Sequence, residues 1–262
     1  MKFIVRNTGI FLLFCCTSLL AQEKAELDCL VRPEMYIELS SPVDSTLKSM
    51  LVKTGDTITK DQALVELENS VERAKVALAK HQANSSSEID NRRIQLKFAK
   101  RNLQRMQELY QKNSVSLFER DKAEAEVSLA RIELFKAKEN KSLAELNLGK
   151  AQAELALRTI KSPIDGIIID TYIKIGESVS NRPIMKLAQI NPLRVELIAP
   201  TEYFGLIDRD MEVEIYPERP AGKMFKATVT VVDQLIDPAS GSFTIRMSLP
   251  NPGEELIGGV NC

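Results

Sequence analysis

The sequence predicts an elongated, multidomain α+β protein in which a long antiparallel helical hairpin is inserted into a small β domain and is followed by a β-barrel. Three observations support this fold class. One stretch of sequence recurs 121 residues further along the chain, about 90 residues of helix-forming sequence separate the two copies, and a series of short strand-like runs follows the second copy.

The repeat begins at Ser41 (SPVDSTLKSMLVKTGDTITKDQALVEL) and again at Ser162 (SPIDGIIIDTYIKIGESVSNRPIMKLA), and the copies align without a gap. Each copy alternates apolar and polar residues before a Gly-Asp or Gly-Glu turn, which is typical of short, half-buried strands joined by tight turns. Buried positions and the turn coincide in the two copies. The identical pairs are Ser41/Ser162, Pro42/Pro163, Asp44/Asp165, Lys53/Lys174 and Gly55/Gly176.

Two such halves resemble the half-motifs of a lipoyl or biotinyl domain, a flattened barrel with approximate twofold symmetry. The resemblance implies one lipoyl-like half at residues 36–68 and the other at residues 159–190. A carrier domain of an acyl or carboxyl transferase would bear a modified lysine at a turn between the halves. Met185-Lys186 is similar to a biotinyl Met-Lys pair, but it falls inside the second half, aligned with Leu64-Val65. We therefore expect no attached cofactor, and the carrier domain is the alternative from another functional class.

The insertion, residues 69–158, has no proline and no glycine before Gly149, and it is rich in Ala, Leu, Glu, Lys and Gln, which favours helix. From Ala123 the apolar positions follow a 4-3 spacing interrupted by Lys141, which predicts a coiled coil. A turn signal at residues 111–115 separates two arms, 67–112 and 116–160. Each arm would span about 65 Å at the helical rise of roughly 1.5 Å per residue. We expect the first arm to bend or break at Ser85-Ser86-Ser87.

Residues 191–262 contain the strand-like runs LRVELIAP, MEVEIYP, KATVTVVDQL and SFTIRMSL. This pattern predicts a small β-barrel. Between the first two runs, TEYFGLI predicts a short helix capped by Thr201. We expect little or no membrane-proximal domain beyond the barrel.

The amino terminus has the features of a secretory signal peptide at residues 1–21: basic Lys2 and Arg6, an apolar run, and a small Ala21. The alternative, a lipoprotein signal at Cys15 or Cys16, lacks the small residue that should precede the cysteine. No later segment approaches the roughly 20 apolar residues that a membrane-spanning helix needs. We expect a soluble exported chain that begins near Gln22 with a strand region, residues 22–35.

Composition argues against several functional classes. The chain has no tryptophan and a single histidine, His81, and removal of Lys2 and Arg6 from its 35 basic residues leaves 33 against 36 acidic ones. This balance gives no basic patch for nucleic acid. The methionines are scattered and form no ligand cluster, so we expect no metal site. These features predict a protein that is not an enzyme.

Export leaves two cysteines, Cys29 and Cys262. In an oxidising compartment the two thiols favour one disulfide bridge. The alternative is a buried Cys29 and an unpaired Cys262 at the end of the chain.

The order of a hairpin nested in a split lipoyl-like domain and followed by a barrel, with Asp237-Pro238 and Asn251-Pro252 near the end, resembles the periplasmic adaptor (membrane fusion protein) family of tripartite pumps, most closely the resistance-nodulation-division adaptors. The resemblance implies a periplasmic homo-oligomer, often a hexamer, that links an inner-membrane transporter to an outer-membrane channel. It favours efflux of drugs or small solutes. The alternative is an adaptor of an ATP-driven exporter or of a type I protein-secretion system, although such adaptors usually have longer hairpins and a membrane helix.

Hairpin tips of this family carry an arginine, a leucine four residues later and a serine eleven residues later. Arg105, Leu109 and Ser116 match this spacing, and the resemblance implies that they bind the outer-membrane channel. Each residue also has a plainer interpretation: Arg105 as a solvated charge, Leu109 as a residue between the arms, and Ser116 as a helix cap with Glu119. The resemblance further implies that Cys29 and Cys262 return to the same region and form a bridge.

Overall fold

The computed structural model describes residues 26–180 and 182–262, so the predicted signal peptide lies outside the described residues. The described chain combines β-sheets with helices, and the predicted α+β class is confirmed. The helices are α1 (Ser70–Asn84), α2 (Ser87–Gln111) and α3 (Leu117–Ala156), with a 3-10 helix at Thr201–Tyr203. The strands are β1 (Cys29–Ser40), β2 (Leu47–Met50), β3 (Thr57–Ile58), β4 (Ala63–Leu67), β5 (Thr159–Lys161), β6 (Gly166–Thr171), β7 (Pro183–Pro200), β8 (Glu212–Ile215), β9 (Phe225–Val232), β10 (Ser242–Leu249) and β11 (Val260–Asn261).

The two repeat copies adopt the same local structure and exchange equivalent hydrogen bonds. Gly176 N donates to the Leu47 carbonyl at 2.8 Å, and Gly55 N donates to the Ile168 carbonyl at 2.8 Å. Leu47 and Ile168 occupy equivalent positions of the repeat, as do the two glycines. Both glycines have φ of +91°, a left-handed conformation that costs glycine little because it has no Cβ. The sequence repeat is therefore a structural repeat with each copy bonded to the other.

Two sheets enclose the first hydrophobic core. One sheet has the order β2-β4-β5, and the other places β3 and β6 beside β7 and β1. Equivalent positions of the two repeat copies supply the core. Successive side chains of a strand point to opposite faces of the sheet, so alternate side chains are buried and the intervening ones face solvent. The buried members include Leu47, Ile58, Leu64, Leu67, Ile168, Val179, Ile184, Met185 and Leu187.

The helices α1 and α2 follow one another along α3 and both pack against it. The first arm is interrupted at Ser85, which is extended at φ −72° and ψ 123°, as the serine run predicted. The buried residues of α3, Ala123, Val127 and Ala137, occupy positions of the predicted 4-3 spacing. The predicted end of the second arm at residue 160 is wrong, because residues 159–161 form β5 and complete a sheet.

A second core lies within the larger sheet, in which β8 to β11 follow the repeat and β1 precedes it. The strands of this part have the order β11-β1-β7-β10-β9-β8, and Glu218 N, three residues after β8, donates to the Asn261 carbonyl of β11 at 2.9 Å. The side chains inside include Val31, Leu193, Val195, Ala227, Val229, Phe243, Ile245, Met247 and Leu249.

Strands β1 and β7 belong to both cores. They pair from Cys29 beside Leu197 to Ser40 beside Pro183, with a shift of register between Pro33 and Met35. The predicted domain limits at 35/36 and 190/191 therefore fall inside strands. A continuous two-stranded ribbon connects the two cores.

The predicted cap of the short helix at Thr201 is wrong. Thr201 is the first residue of the 3-10 helix, which has Pro200 before it and no side-chain cap hydrogen bond. The Thr201 N–H instead donates to the Gly241 carbonyl at 3.2 Å. Across residues 26–180 and 182–262, no helix has the length and apolar character needed to cross a membrane.

Candidate partner-binding site

Residue types that serve catalysis or bind metal are scattered through the chain. Within the two described ranges, no group of three His, Cys, Asp or Glu residues is arranged to hold a metal ion. Met185 is fully buried in β7, and the Lys186 ammonium lies 4.9 Å from the centre of the Tyr36 ring. Lys186 thus lies within a strand and not at a turn between the repeat copies. The predicted partner-binding residues lie elsewhere, at the hairpin tip (residues 105–122).

Helix α2 ends in a turn closed by its own backbone. Ser114 N donates to the Leu109 carbonyl and Asn113 N donates to the Tyr110 carbonyl, each at 2.9 Å. Asn113 has φ of +55°, and asparagine tolerates this left-handed conformation better than most residues. These two hydrogen bonds define a Schellman motif, which satisfies carbonyls that a helix end otherwise leaves unpaired.

Helix α3 begins with a capping box. The Ser116 hydroxyl accepts a hydrogen bond from Glu119 N at 3.3 Å, and the Glu119 carboxylate accepts one from Ser116 N at 3.0 Å. The Ser116 hydroxyl also donates to the same carboxylate at 3.3 Å. The hydroxyl therefore has a donor and an acceptor partner within its own chain, which supports the capping interpretation of Ser116.

Arg105 and Leu109 lie one turn apart on the same face of α2. Arg105 is exposed, and it has no ion-pair partner among the residues that the structure describes. Leu109 is half-buried, and its carbonyl is the acceptor that closes the turn. The structure thus places Arg105, Leu109 and Ser116 at one end of the hairpin, where Arg105 and Ser116 are exposed and Leu109 is half-buried.

An aromatic contact joins the end of α2 to the start of α3. The Arg120 guanidinium carbon lies 5.2 Å from the centre of the Tyr110 ring, a cation–π distance. Arg120 Nε also donates to the Asp121 carboxylate at 3.0 Å, and this hydrogen bond raises the pKa of Arg120 above its ordinary value. Arg120 therefore covers one side of Tyr110.

Sequence reasoning missed two apolar residues of the hairpin tip. Leu117 and Phe118 form the first two positions of α3, and 49% and 76% of their respective surfaces are exposed. The 4-3 spacing of α3, extended back from Ala123, passes through positions 120 and 116 and omits both. The sequence does contain a signal for a contact role of this pair. The two apolar residues directly follow a helix cap and lie outside the spacing of buried residues.

The base of the hairpin is held by a largely buried ion pair. Arg158 Nη2 lies 3.0 Å from Glu72 Oε1, and their side chains are only 19% and 11% exposed. Arg158 Nη1 also donates to the Asp44 carbonyl at 3.2 Å, near the start of the first repeat copy. Arg158 therefore connects the end of α3 to the start of α1 and to the first repeat copy.

Cys29 and Cys262 are joined by a disulfide in the structure, with their Cα atoms 4.8 Å apart. Their backbones also pair, since each N–H donates to the other residue's carbonyl at 2.8 Å. The bond would connect β1 to the segment that ends with β11. We propose that it forms in the exported protein.

The chain is similar in sequence to membrane fusion and multidrug resistance proteins. It is 27% identical over 170 residues to the pyoverdine export membrane fusion protein PvdR of Pseudomonas putida, covering 63% of this chain and 43% of PvdR. It is 26% identical over 230 residues to the multidrug resistance protein MdtA of Cronobacter turicensis, covering 84% of this chain and 52% of MdtA. The chain thus spans about half the length of the curated relatives it matches. No family model matches it.

The chain is also similar in fold to solved structures. The structure of MacA from Actinobacillus actinomycetemcomitans matches this chain with a TM-score of 0.74 and 22% identity, and the match covers 90% of this chain and 75% of the MacA chain. The membrane fusion protein Spr0693 from Streptococcus pneumoniae aligns with 90% of this chain over 95% of its own, with a TM-score of 0.57 and 16% identity. At these identities the likeness is one of fold. Together, the relatives and the structures confirm the resemblance to membrane fusion proteins.

Proposed function

We propose, from this resemblance to the membrane fusion proteins, that the chain is a non-enzymatic periplasmic adaptor that links an inner-membrane transporter to an outer-membrane channel. The observation that carries the proposal is the hairpin tip, which closes both helix ends with its own hydrogen bonds and leaves Arg105 exposed and charged. A tip that needs no partner for its turn presents its remaining side chains in a fixed geometry. Preorganised side chains lose less entropy when a partner binds.

The parts of the molecule have separate roles in this proposal. Residues 69–158 form a coiled-coil arm that spans the periplasm, and residues 36–68 with 159–190 form the lipoyl-like domain from which the arm projects. Residues 191–262, together with the first part of β1, form the β-barrel on the transporter side. The chain works as a ring, with six copies as the expected number, and a resistance-nodulation-division transporter is the favoured inner-membrane partner. Residues 1–21 direct export and are then removed.

Drugs or small solutes are the proposed cargo. The relatives named for pyoverdine export and multidrug resistance support this choice over protein secretion. Export of a small toxic compound by cells that carry the wild-type chain, lost when the chain is deleted, is the expected result. Loss of a secreted protein without any change in small-solute export would favour the type I secretion alternative.

Substitution of Arg105 and Leu109 tests the docking role directly. Arg105→Glu should abolish cross-linking to the outer-membrane channel and efflux, because a charge-assisted hydrogen bond becomes a repulsion. Leu109→Ala should weaken both by removing apolar contact. The measurements are photo-crosslinking from Val115 in living cells, identification of the cross-linked partner by mass spectrometry, and an efflux assay.

A matched control is Arg131→Glu, which reverses another exposed arginine in the middle of α3, about 22 Å from Ser116 along the helix. Arg131→Glu should leave cross-linking near wild type, and both arginine variants should keep wild-type helicity, because solvated charges contribute little to folding. Unchanged cross-linking and efflux in both Arg105→Glu and Leu109→Ala would show that the tip does not dock on a channel.

A further inference from the structure

Leu117 and Phe118 stand out among the apolar side chains of the hairpin tip. Leu109 and Val115 are half-buried, and Tyr110 is 36% exposed with one side covered by Arg120. Phe118, by contrast, is 76% exposed. The tip therefore leaves one aromatic ring largely exposed and its leucine neighbour about half exposed.

The helix start holds this pair in place. Ser116 and Glu119 fix the first turn of α3 through the capping box, on both sides of Leu117 and Phe118 in the sequence. Large aromatic side chains on a fixed backbone are typical of residues that dominate binding energy, because they bury much surface at a small entropic cost. This placement favours a contact role over a purely solvent-exposed one.

The charges around the pair indicate the chemistry of the partner. Arg105, Lys112 and Lys122 are exposed and form no ion pair within the described part of the chain. Of the acidic groups of the tip, Asp121 is paired with Arg120, Glu119 accepts hydrogen bonds from Ser116, and the exposed Glu108 accepts one from Gln104. Residues 105–122 thus carry four basic and three acidic side chains, a net charge of +1. A complementary surface has an apolar groove bordered by carboxylates.

We infer that Leu117 and Phe118 are the apolar anchor of the hairpin tip, and that Phe118 inserts into an apolar groove, bordered by carboxylates, at the periplasmic end of the outer-membrane channel. This inference rests on the proposed function. It adds a recognition element outside the Arg105, Leu109 and Ser116 set, and it assigns to Phe118 the largest single apolar contribution to docking.

The test uses the exported chain and the purified outer-membrane channel that is identified by cross-linking from Val115. Phe118→Ser should weaken binding at least about 10-fold, the scale expected for loss of an aromatic anchor at the centre of an interface. Phe118→Leu keeps an apolar side chain and should bind within about 3-fold of wild type. The matched control is Phe135→Ser, which removes a ring that is 60% exposed on the same helix, about 26 Å away. It should also bind within about 3-fold of wild type.

The outcomes separate this inference from the proposed function. If Arg105→Glu abolishes binding and Phe118→Ser does not weaken it, the anchor is wrong while channel docking stands. If neither variant changes binding, or if position 115 cross-links only to a second copy of the chain, both the Phe118 anchor and the proposed channel docking are wrong. An equal loss in Phe118→Ser and Phe135→Ser would also overturn the anchor, because it would indicate a general effect of removing exposed rings. Circular dichroism should show wild-type helicity in every variant.

Discussion

Replacement of Arg158 by methionine should loosen the base of the hairpin. The substitution keeps much of the side-chain length but removes the cation that faces Glu72 at 3.0 Å and the donor to the Asp44 carbonyl at 3.2 Å. Because only 11% of the Glu72 side chain is exposed, its carboxylate would lose its partner in a site that water reaches poorly. Arg158→Met therefore tests whether this ion pair fixes the hairpin to the lipoyl-like domain.

The magnitude follows from the contacts. A hydrogen bond to a charged group contributes about 1.5–3 kcal/mol. Breaking a fully buried pair costs roughly 3–5 kcal/mol, because the remaining charge has no partner. The 19% and 11% exposure of the two side chains allows some rehydration, so the loss should lie at or below the lower limit of this range. We expect Arg158→Met to lower the free energy of unfolding by about 2–3 kcal/mol.

Urea unfolding followed by the helical circular dichroism signal measures this change. In the double variant Arg158→Met with Glu72→Gln, no unpaired carboxylate remains, so the loss should be smaller than the sum of the two single losses by about 1–2 kcal/mol. Lys150→Met removes an exposed pair with Glu154 on α3 and should change stability by less than about 0.5 kcal/mol. A loss in Arg158→Met no larger than in Lys150→Met, or strictly additive losses in the double variant, would refute the reasoning.

Two further predictions concern Ser116 and the cysteines. Ser116→Ala should cost about 1 kcal/mol and speed amide exchange at Glu119 about 5-fold, whereas Ser116→Asp should keep exchange slow because aspartate also caps helices; unchanged exchange in Ser116→Ala would contradict the capping role. In unreduced, unfolded protein, Cys29 and Cys262 should resist thiol alkylation, and Cys29→Ser should lower stability by up to about 5 kcal/mol, since the bond closes a loop of 233 residues. Alkylation of both cysteines without reductant would rule out the bridge.

The repeat and the helices could be predicted from the sequence because their signals are local. Gly55 and Gly176 need the same left-handed turn, and the small and branched residues of α3 that are buried recur at a fixed spacing. The continuity of β1 and β7 could not be predicted, because Pro33 and Asn191-Pro192 are ordinary signals for the end of a strand. Both strands continue past their prolines, with the shift at Pro33 absorbing the irregularity. Pairing between distant segments of the chain decides whether a strand continues past a proline, and no local sequence pattern indicates that pairing.

The candidate site likewise has some features that the sequence predicts and others that only the fold shows. The spacing of Arg105, Leu109 and Ser116 was visible in the sequence, and so was the capping box. The exposure of Phe118 was not, because a helical spacing indicates which residues are buried and says nothing about which of the others a partner covers. The half-burial of Leu109 and the Schellman turn at Asn113 are likewise visible only in the fold.

The polar chemistry of the hairpin tip limits what recognition can use. The backbone groups at the end of α2 are paired within the Schellman motif, and the Ser116 hydroxyl is engaged by Glu119. A partner that competed for these groups would have to break the turn that positions them, and it would lose the stability that the turn provides. Side chains that the turn does not need impose no such cost. Arg105 and Phe118 meet this condition, so we expect docking to depend on their charge and apolar surface more than on the serine.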